Sequence, residues 1–294
     1  MSKKATAQFW DTAHRYLGHQ LKVIRQVSSH TIDSYRDCLN SFIDYLERVE
    51  NISRKKISFH NFGKETIKRY QTWMITEQGL APKTCNLRLT AIRSFLEYAA
   101  QEYLWLMPVY TDACTIAGVK TPNHAIEYFE PDEMTALLAA PSGTSRTDRR
   151  NQMMLIFLYD TAARVAEARQ VKVSDLHLDA GVPYVTLLGK GRKYRNIPLM
   201  EKTVLHLKRY LKDFHRSDPK TDLPLFYAKA HGLLHELSSD TFEKMIKRYA
   251  EQCREGGYPM PDRVHCHMIR KTRAMDLYRE GVPLPHIQQL KLSP

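Results

Sequence analysis

Apolar residues recur at helical spacing through the first third of the chain. In "SSHTIDSYRDCLNSFIDYLERVE", Ile32, Tyr35, Leu39, Phe42, Ile43 and Leu46 fall on one face, which predicts an amphipathic helix with its polar face outward. Ser28 or Ser29 is placed to cap it, because a short hydroxyl side chain accepts from the unpaired N–H groups of a first turn. "GKETIKRYQTWMITEQG" predicts a second helix ended by Gly79, where the absence of a Cβ permits the left-handed turn. "APKTCNLRLTAIRSFLEYAAQEY" predicts a third, with Leu89, Ile92, Leu96 and Ala99 inward and Lys83, Arg88 and Arg93 elsewhere. With an opening helix, residues 1–105 read as a four-helix domain with a basic side.

The period then fails. "LMPVYTDACTIAGVKTPNHAI" holds two prolines, a glycine and no sustained apolar repeat, so residues 106–126 read as a linker. Residues 127–294 read as a second domain. Its first helix starts in "YFEPDEMTALLAA", where Glu130 precedes Pro131 at the first helical position and Glu133 stands where a capping box needs it. "RRNQMMLIFLYDTAA" predicts a further helix. Two short strands, "VPYVTLLG" and "YRNIPL", are joined by "KGRK" as a basic hairpin. Helices return through "TVLHLKRYLKDF", "SSDTFEKMIKRYAEQC" and "HMIRKTRAMDLYRE". The fold class is mainly α with a small β-sheet, an α+β architecture.

Composition sharpens this picture in three places. A hydrophobic content of 43% with 26% charged residues describes a globular chain. No apolar run approaches the length of a membrane span, and "MSKKATAQFWDTAHRYLG" lacks the apolar core of a signal peptide, so the reading is cytoplasmic with no membrane partner. Five cysteines, Cys38, Cys85, Cys114, Cys253 and Cys266, are scattered without CxxC spacing and read as reduced thiols. Adjacent ligands in "HCH" at 265–267 do not suit a tetrahedral metal site, and no cofactor is expected. Lysine and arginine number 44 against 32 acids, a net charge of +12 spread over folded elements, which points to a polyanionic partner such as nucleic acid.

Three short stretches hold candidate chemistry. Arg164 follows an apolar helix among Ala162, Ala163 and Ala166; alone it reads as a structural ion pair with Glu167 or as a group held to receive an anion. Lys190 lies between two glycines at a strand tip, which suits either a solvated turn or close approach to a ligand. His267 and Arg270, at i and i+3, share a helix face near a helix start, where backbone N–H groups favour an anion.

Their order is more specific than any one of them. An arginine after an apolar helix, a GKGxKxR hairpin over Gly189–Arg195 and HxxR opening a helix ended by Gly281 all follow a basic helical domain. This resembles the tyrosine recombinases, the phage integrase and Xer-type family, over nearly the whole chain. The resemblance implies an N-terminal SAM-like core-binding domain clamping one face of DNA, followed by the catalytic domain. It implies Arg164 and Arg270 as the catalytic arginines, Glu167 as the acid that braces the first, Lys190 as the donor to the leaving oxygen and His267 as the histidine of HxxR. Lys83, Arg88, Arg93, Arg192 and Lys193 are the implied DNA contacts. The implied activity is metal-free strand cleavage and rejoining through a phosphotyrosine, with duplex DNA as partner and protomers assembling on it from dimer to tetramer.

The resemblance stops short at the end. The family continues through "LLGH" to the nucleophilic tyrosine; here "HIQQL" is followed by "KLSP", which puts Ser293 at the histidine position and leaves no tyrosine in place to attack. The expectation is therefore a recombinase of mobile DNA or chromosome maintenance that binds DNA without cutting it and assembles weakly. An interrupted reading frame, a cut chain and a retained short form each account for such an end. The rival readings are a non-catalytic regulator that occupies recombination sites and, more distantly, a helical RNA-binding protein.

Overall fold

The computed structural model describes residues 3–122, 125–189, 193–215, 222–230 and 233–291. The chain divides into two compact units, residues 1–124 and 125–294. The fold class is as expected, helices with small antiparallel sheets.

In the first unit, α1 (Lys3–Arg15) continues as a π-helical stretch over Tyr16–Ile24 and is followed by α2 (Ser29–Arg48), α3 (Lys64–Thr76) and α4 (Pro82–Glu102). Ser28 is the cap of α2: its extended backbone turns its Oγ to accept from the N–H of Thr31 at 3.2 Å. Gly79 adopts φ +57 just beyond α3, the conformation for which glycine is suited. The inward residues of α2 and α4 are buried as their spacing requires, around an aromatic centre. Phe95 has no exposure and meets the rings of Phe9, Tyr16, Phe59 and Phe62 at centroid distances of 5.8, 5.4, 5.8 and 6.0 Å.

The stretch expected as a linker contains a fifth helix, α5 (Met107–Cys114), packed on α4. Pro108 lies in its first turn, where a missing N–H has no consequence, so the residue that suggested a break instead starts a helix. Arg93 completes α5 by donating Nε to the Ala113 carbonyl at 3.0 Å and Nη2 to the Ile116 carbonyl.

The second unit begins with the capping box: Glu130 N–H donates to Glu133 Oε2 at 2.8 Å, with Pro131 opening α6 (Pro131–Ala139). Then come α7 (Arg146–Thr161) and α8 (Val165–Gln170). An antiparallel sheet follows, β1 (Leu176–His177), β2 (Tyr184–Leu188) and β3 (Tyr194–Pro198), in that order. Alternation buries Val185, Leu187 and Ile197, and the register sets Leu187 opposite Arg195. After α9 (Glu201–His215), a second hairpin forms from β4 (Tyr227–Ala230) and β5 (Leu233–Glu236). The two-strand expectation missed β1, β4 and β5. β1 is two residues long and every residue of β5 is exposed, so neither carries an alternating apolar signal. The unit ends with α10 (Ser239–Glu255), α11 (Cys266–Arg279) and α12 (Leu284–Lys291), and Gly281 at φ +82 turns the chain after α11. α7 packs against α6, α9 and α11 through the core that holds Phe157, Leu158, Phe226, Ile246 and Ile269. Among the described residues no helix is long and apolar enough to cross a membrane.

All three tryptophans, Trp10, Trp73 and Trp105, lie in the first unit, so their fluorescence reports its unfolding alone. Phe95→Ala is expected to cost about 3–5 kcal/mol there, read as a lower urea midpoint in tryptophan fluorescence.

Candidate active site

The end of α7 sets the first part of the site. Ala162 takes a left-handed turn, φ 48, and turns its carbonyl toward α11, where the buried Arg270 donates Nη1 to it. Two residues on, Arg164 is the extended residue before α8, and its N–H donates to Glu167 Oε2 at 2.7 Å. A carboxylate at the third position of a helix caps its first turn in this way. Arg164 Nη1 also donates to Glu167 Oε1 at 3.0 Å, while its side chain keeps 34% exposure.

Glu167 gathers more than Arg164. On β3, Arg195 donates Nη1 to Oε1 at 2.9 Å and Nη2 to Oε2 at 2.6 Å, a fork against both oxygens. Arg270 Nη1 lies 4.0 Å from Oε2. Three guanidinium groups thus surround one carboxylate that is 4% exposed, leaving a surplus of two positive charges. Burial works to raise the Glu167 carboxyl, but hydrogen bonds from Arg195 and from the Arg164 backbone outweigh it and hold the group below its ordinary 4.5. Burial, then the charge of Arg164, push Arg270 down to about 10, so it remains protonated at neutral pH.

His267 is on the second residue of α11 and exposed, with its ring 6.4 Å from that of His265. Although its surface is open, partial loss of hydration against the protein, then the charges of Arg270, Lys271, His265 and Arg164, lower its pKa below 6.5 and favour the neutral imidazole at pH 7. The anion site expected at this helix start is already occupied. Glu243 of α10 accepts the Cys266 N–H at 3.3 Å on each oxygen. An incoming anion therefore meets side chains here and not the first helical N–H.

The sequence-derived set is thus brought together in part. Arg164, Glu167, His267 and Arg270 share one locality. Lys190 and Arg192 lie outside the described residues. Lys193 is exposed on the hairpin, and its carbonyl accepts the Gly189 N–H at 2.8 Å. In the first unit Lys83 is exposed and Arg88 half-buried, while Arg93 is committed to the carbonyls of α5. Successive steps of five residues turn about 140° round a helix, so these three do not form one row. Motif reading left Arg195 and Glu243 without roles, since both act through partners distant in sequence.

Glu167→Gln removes the counter-charge from three arginines and is expected to cost about 3–5 kcal/mol. Because the folded carboxyl titrates below 4.5, its stabilisation is complete above that value and is lost as pH falls through the folded value. Urea midpoints followed by circular dichroism should fall on acidification less steeply in the glutamine variant than in the wild type.

Residues 127–291 match the phage integrase family, and residues 14–103 match the phage integrase N-terminal SAM-like domain. The chain is 32% identical over 276 residues to tyrosine recombinase XerD of Halalkalibacterium halodurans, covering 92% of this chain and 86% of that one. It is 25% identical over 272 residues to tyrosine recombinase XerC of Staphylococcus haemolyticus, covering 92% and 85%. Among solved structures it is similar to the XerH site-specific recombinase bound to palindromic difH substrate, with a TM-score of 0.69, 21% identity and coverage of 90% and 74%. It is also similar to the Tn1549 transposon integrase in complex with a circular intermediate DNA, with a TM-score of 0.70, 15% identity and coverage of 97% and 90%. At these identities the structural likeness is one of fold. The chain belongs to the phage integrase family of tyrosine recombinases, the family of site-specific recombination.

Proposed function

We propose that this chain binds a specific site on duplex DNA in the cytoplasm and grips the phosphodiester at the point of strand exchange in the Glu167-centred cluster. The observation that supports this most is the arrangement of Arg164, Arg195 and Arg270 on one buried carboxylate, with Arg164 still partly open. Charge develops on the non-bridging oxygens when a phosphodiester is attacked, and guanidinium groups held in advance stabilise it without reorganisation. Arg164 and Arg270 are the phosphate ligands in this reading, and neutral His267 is a further hydrogen-bond donor to it. Lys190, next in sequence to Gly189, is assigned to the leaving oxygen. Lys83, Arg88, Arg192 and Lys193 contact the DNA backbone, whereas Arg93 is set aside because its donors hold α5. Two copies occupy a roughly palindromic site.

The attack itself is a separate matter. Tyr159, Tyr210, Tyr227 and Tyr249 donate their hydroxyls to Asp276, the Leu225 carbonyl, the Phe214 carbonyl and Asp148. Burial, then the bond to Asp276, push Tyr159 up to about 12, further from a phenolate. Tyr278 is exposed on α11, but eight residues from Arg270 means about 12 Å along the helix and about 80° round it. That is beyond reach of a phosphate held at Arg270. In our reading, none of these five tyrosines is placed to attack, and the chain holds its site without cutting it. The same observation favours the second reading, a binder that occupies recombination sites and excludes active relatives.

Affinity for duplex DNA is expected to fall on the order of 10³-fold between about 50 and 200 mM salt, as counterions are no longer released at a profit in entropy; a nearly flat response in a fluorescence-anisotropy titration would refute the basic-groove reading. Arg164→Ala should weaken binding of its selected site by about 1.5–3 kcal/mol while leaving the thermal transition of the first unit in place. A duplex nicked beside the exchange point traps covalent intermediates. The 294-residue protein should shift such DNA in a native gel and leave none attached after denaturation, and a covalent adduct lost in Tyr278→Phe would overturn the binding-only reading.

A further inference from the structure

We infer that Arg195 is a positioning residue for the phosphate grip, fixing the β2–β3 hairpin and Arg164 in one geometry through Glu167; this rests on the proposed reading of the cluster as a phosphate site. Arg195 is 14% exposed on its side chain, so its guanidinium faces inward to the protein more than outward to a ligand. Its two terminal nitrogens each meet a different oxygen of Glu167, at 2.9 and 2.6 Å. Such a fork fixes the plane of the carboxylate as well as its position, which a lysine's single ammonium does not do.

The fork is built into the hairpin on its other side. Arg195 pairs with Leu187 across β2 and β3, and Gly189 closes the strand ends by donating its N–H to the Lys193 carbonyl at 2.8 Å. A Cβ on Gly189 would stand 3.3 Å from Arg195 Nη1, 3.3 Å from the Lys193 carbonyl oxygen and 3.7 Å from Glu167 Oε1. A side chain there would press on the Arg195 guanidinium and the Lys193 carbonyl, while the carboxylate itself lies at ordinary van der Waals distance. Glu167 passes this placement on: the oxygen that takes Arg195 Nη1 also takes Arg164 Nη1, and the oxygen that takes Nη2 also takes the Arg164 N–H. If the fork is removed, the carboxylate loses two of the bonds that set its plane, and the Arg164 side chain that it holds is fixed less firmly.

A purely stabilising ion pair would lower the melting temperature and leave phosphate recognition alone. The test uses the whole 294-residue protein and a duplex that it selects from a random pool, resynthesised with an uncharged methylphosphonate at each central phosphate in turn. The readout is the ratio of affinities for native and substituted duplex at the most sensitive position, with melting temperatures recorded alongside. Wild-type protein should prefer the native phosphate by about tenfold or more, Arg195→Gln should bring that preference within about threefold of unity, and Arg195→Lys should fall between. In Arg164→Ala, where the grip is already open, adding Arg195→Gln should cause no further loss. If the glutamine variant does not fold, the lysine variant carries the measurement. The inference is overturned if the folded Arg195 variants keep the wild-type ratio, or if the losses multiply in the double variant. An absent preference in the wild type would remove the phosphate-site reading itself and this inference with it.

Discussion

One buried carboxylate organises the second unit's site. Glu167 sets a negative charge among Arg164, Arg195 and Arg270, groups that would repel one another at this spacing and that lose hydration by being drawn together. Its own burial is unfavourable to ionisation, and the same arginines reverse that. Charge and counter-charge are each tenable only because of the other. Through this exchange the start of α8, the third strand and the eleventh helix share one fixed point, although they are separate in sequence.

A second constraint is conformational. Ala162 occupies the left-handed region, where an L-residue costs about 1–2 kcal/mol. The turn ends α7 abruptly, directs a carbonyl at Arg270 and delivers Arg164 in the extended form that α8 needs for its cap. Ala162 and Ala163 are both buried, which explains why small residues border the arginine. Local strain here is matched by the ties it permits.

What could be read in advance follows the range of each interaction. The caps at Ser28, Gly79 and Glu130 depend on neighbours within a few residues, and the sequence displayed them. The helix at 107–114 was hidden because proline reads alike as a breaker and as a first-turn residue, and only its packing on α4 distinguishes them. The exposed hairpin over 227–236 carries no burial alternation on its second strand and so no pattern to find. Within the site, Arg164, Glu167, His267 and Arg270 were legible through motif order. Arg195 was visible only as part of the hairpin motif, and its tie to Glu167 spans 28 residues of chain. Arg270 and Ala162 are separated by 108, a pairing that no local rule supplies. Glu243 at the start of α11 belongs with these, since a helix cap supplied by another helix leaves no trace in spacing.

The cap by Glu243 leaves the accessible positive charge of this locality to side chains. A negative side chain stands at the head of the eleventh helix, while Arg270 and Arg195 turn mainly inward and Arg164 and His267 keep solvent-facing surface. Of the three arginines around Glu167, Arg164 therefore presents most of the cluster's surplus charge to solvent.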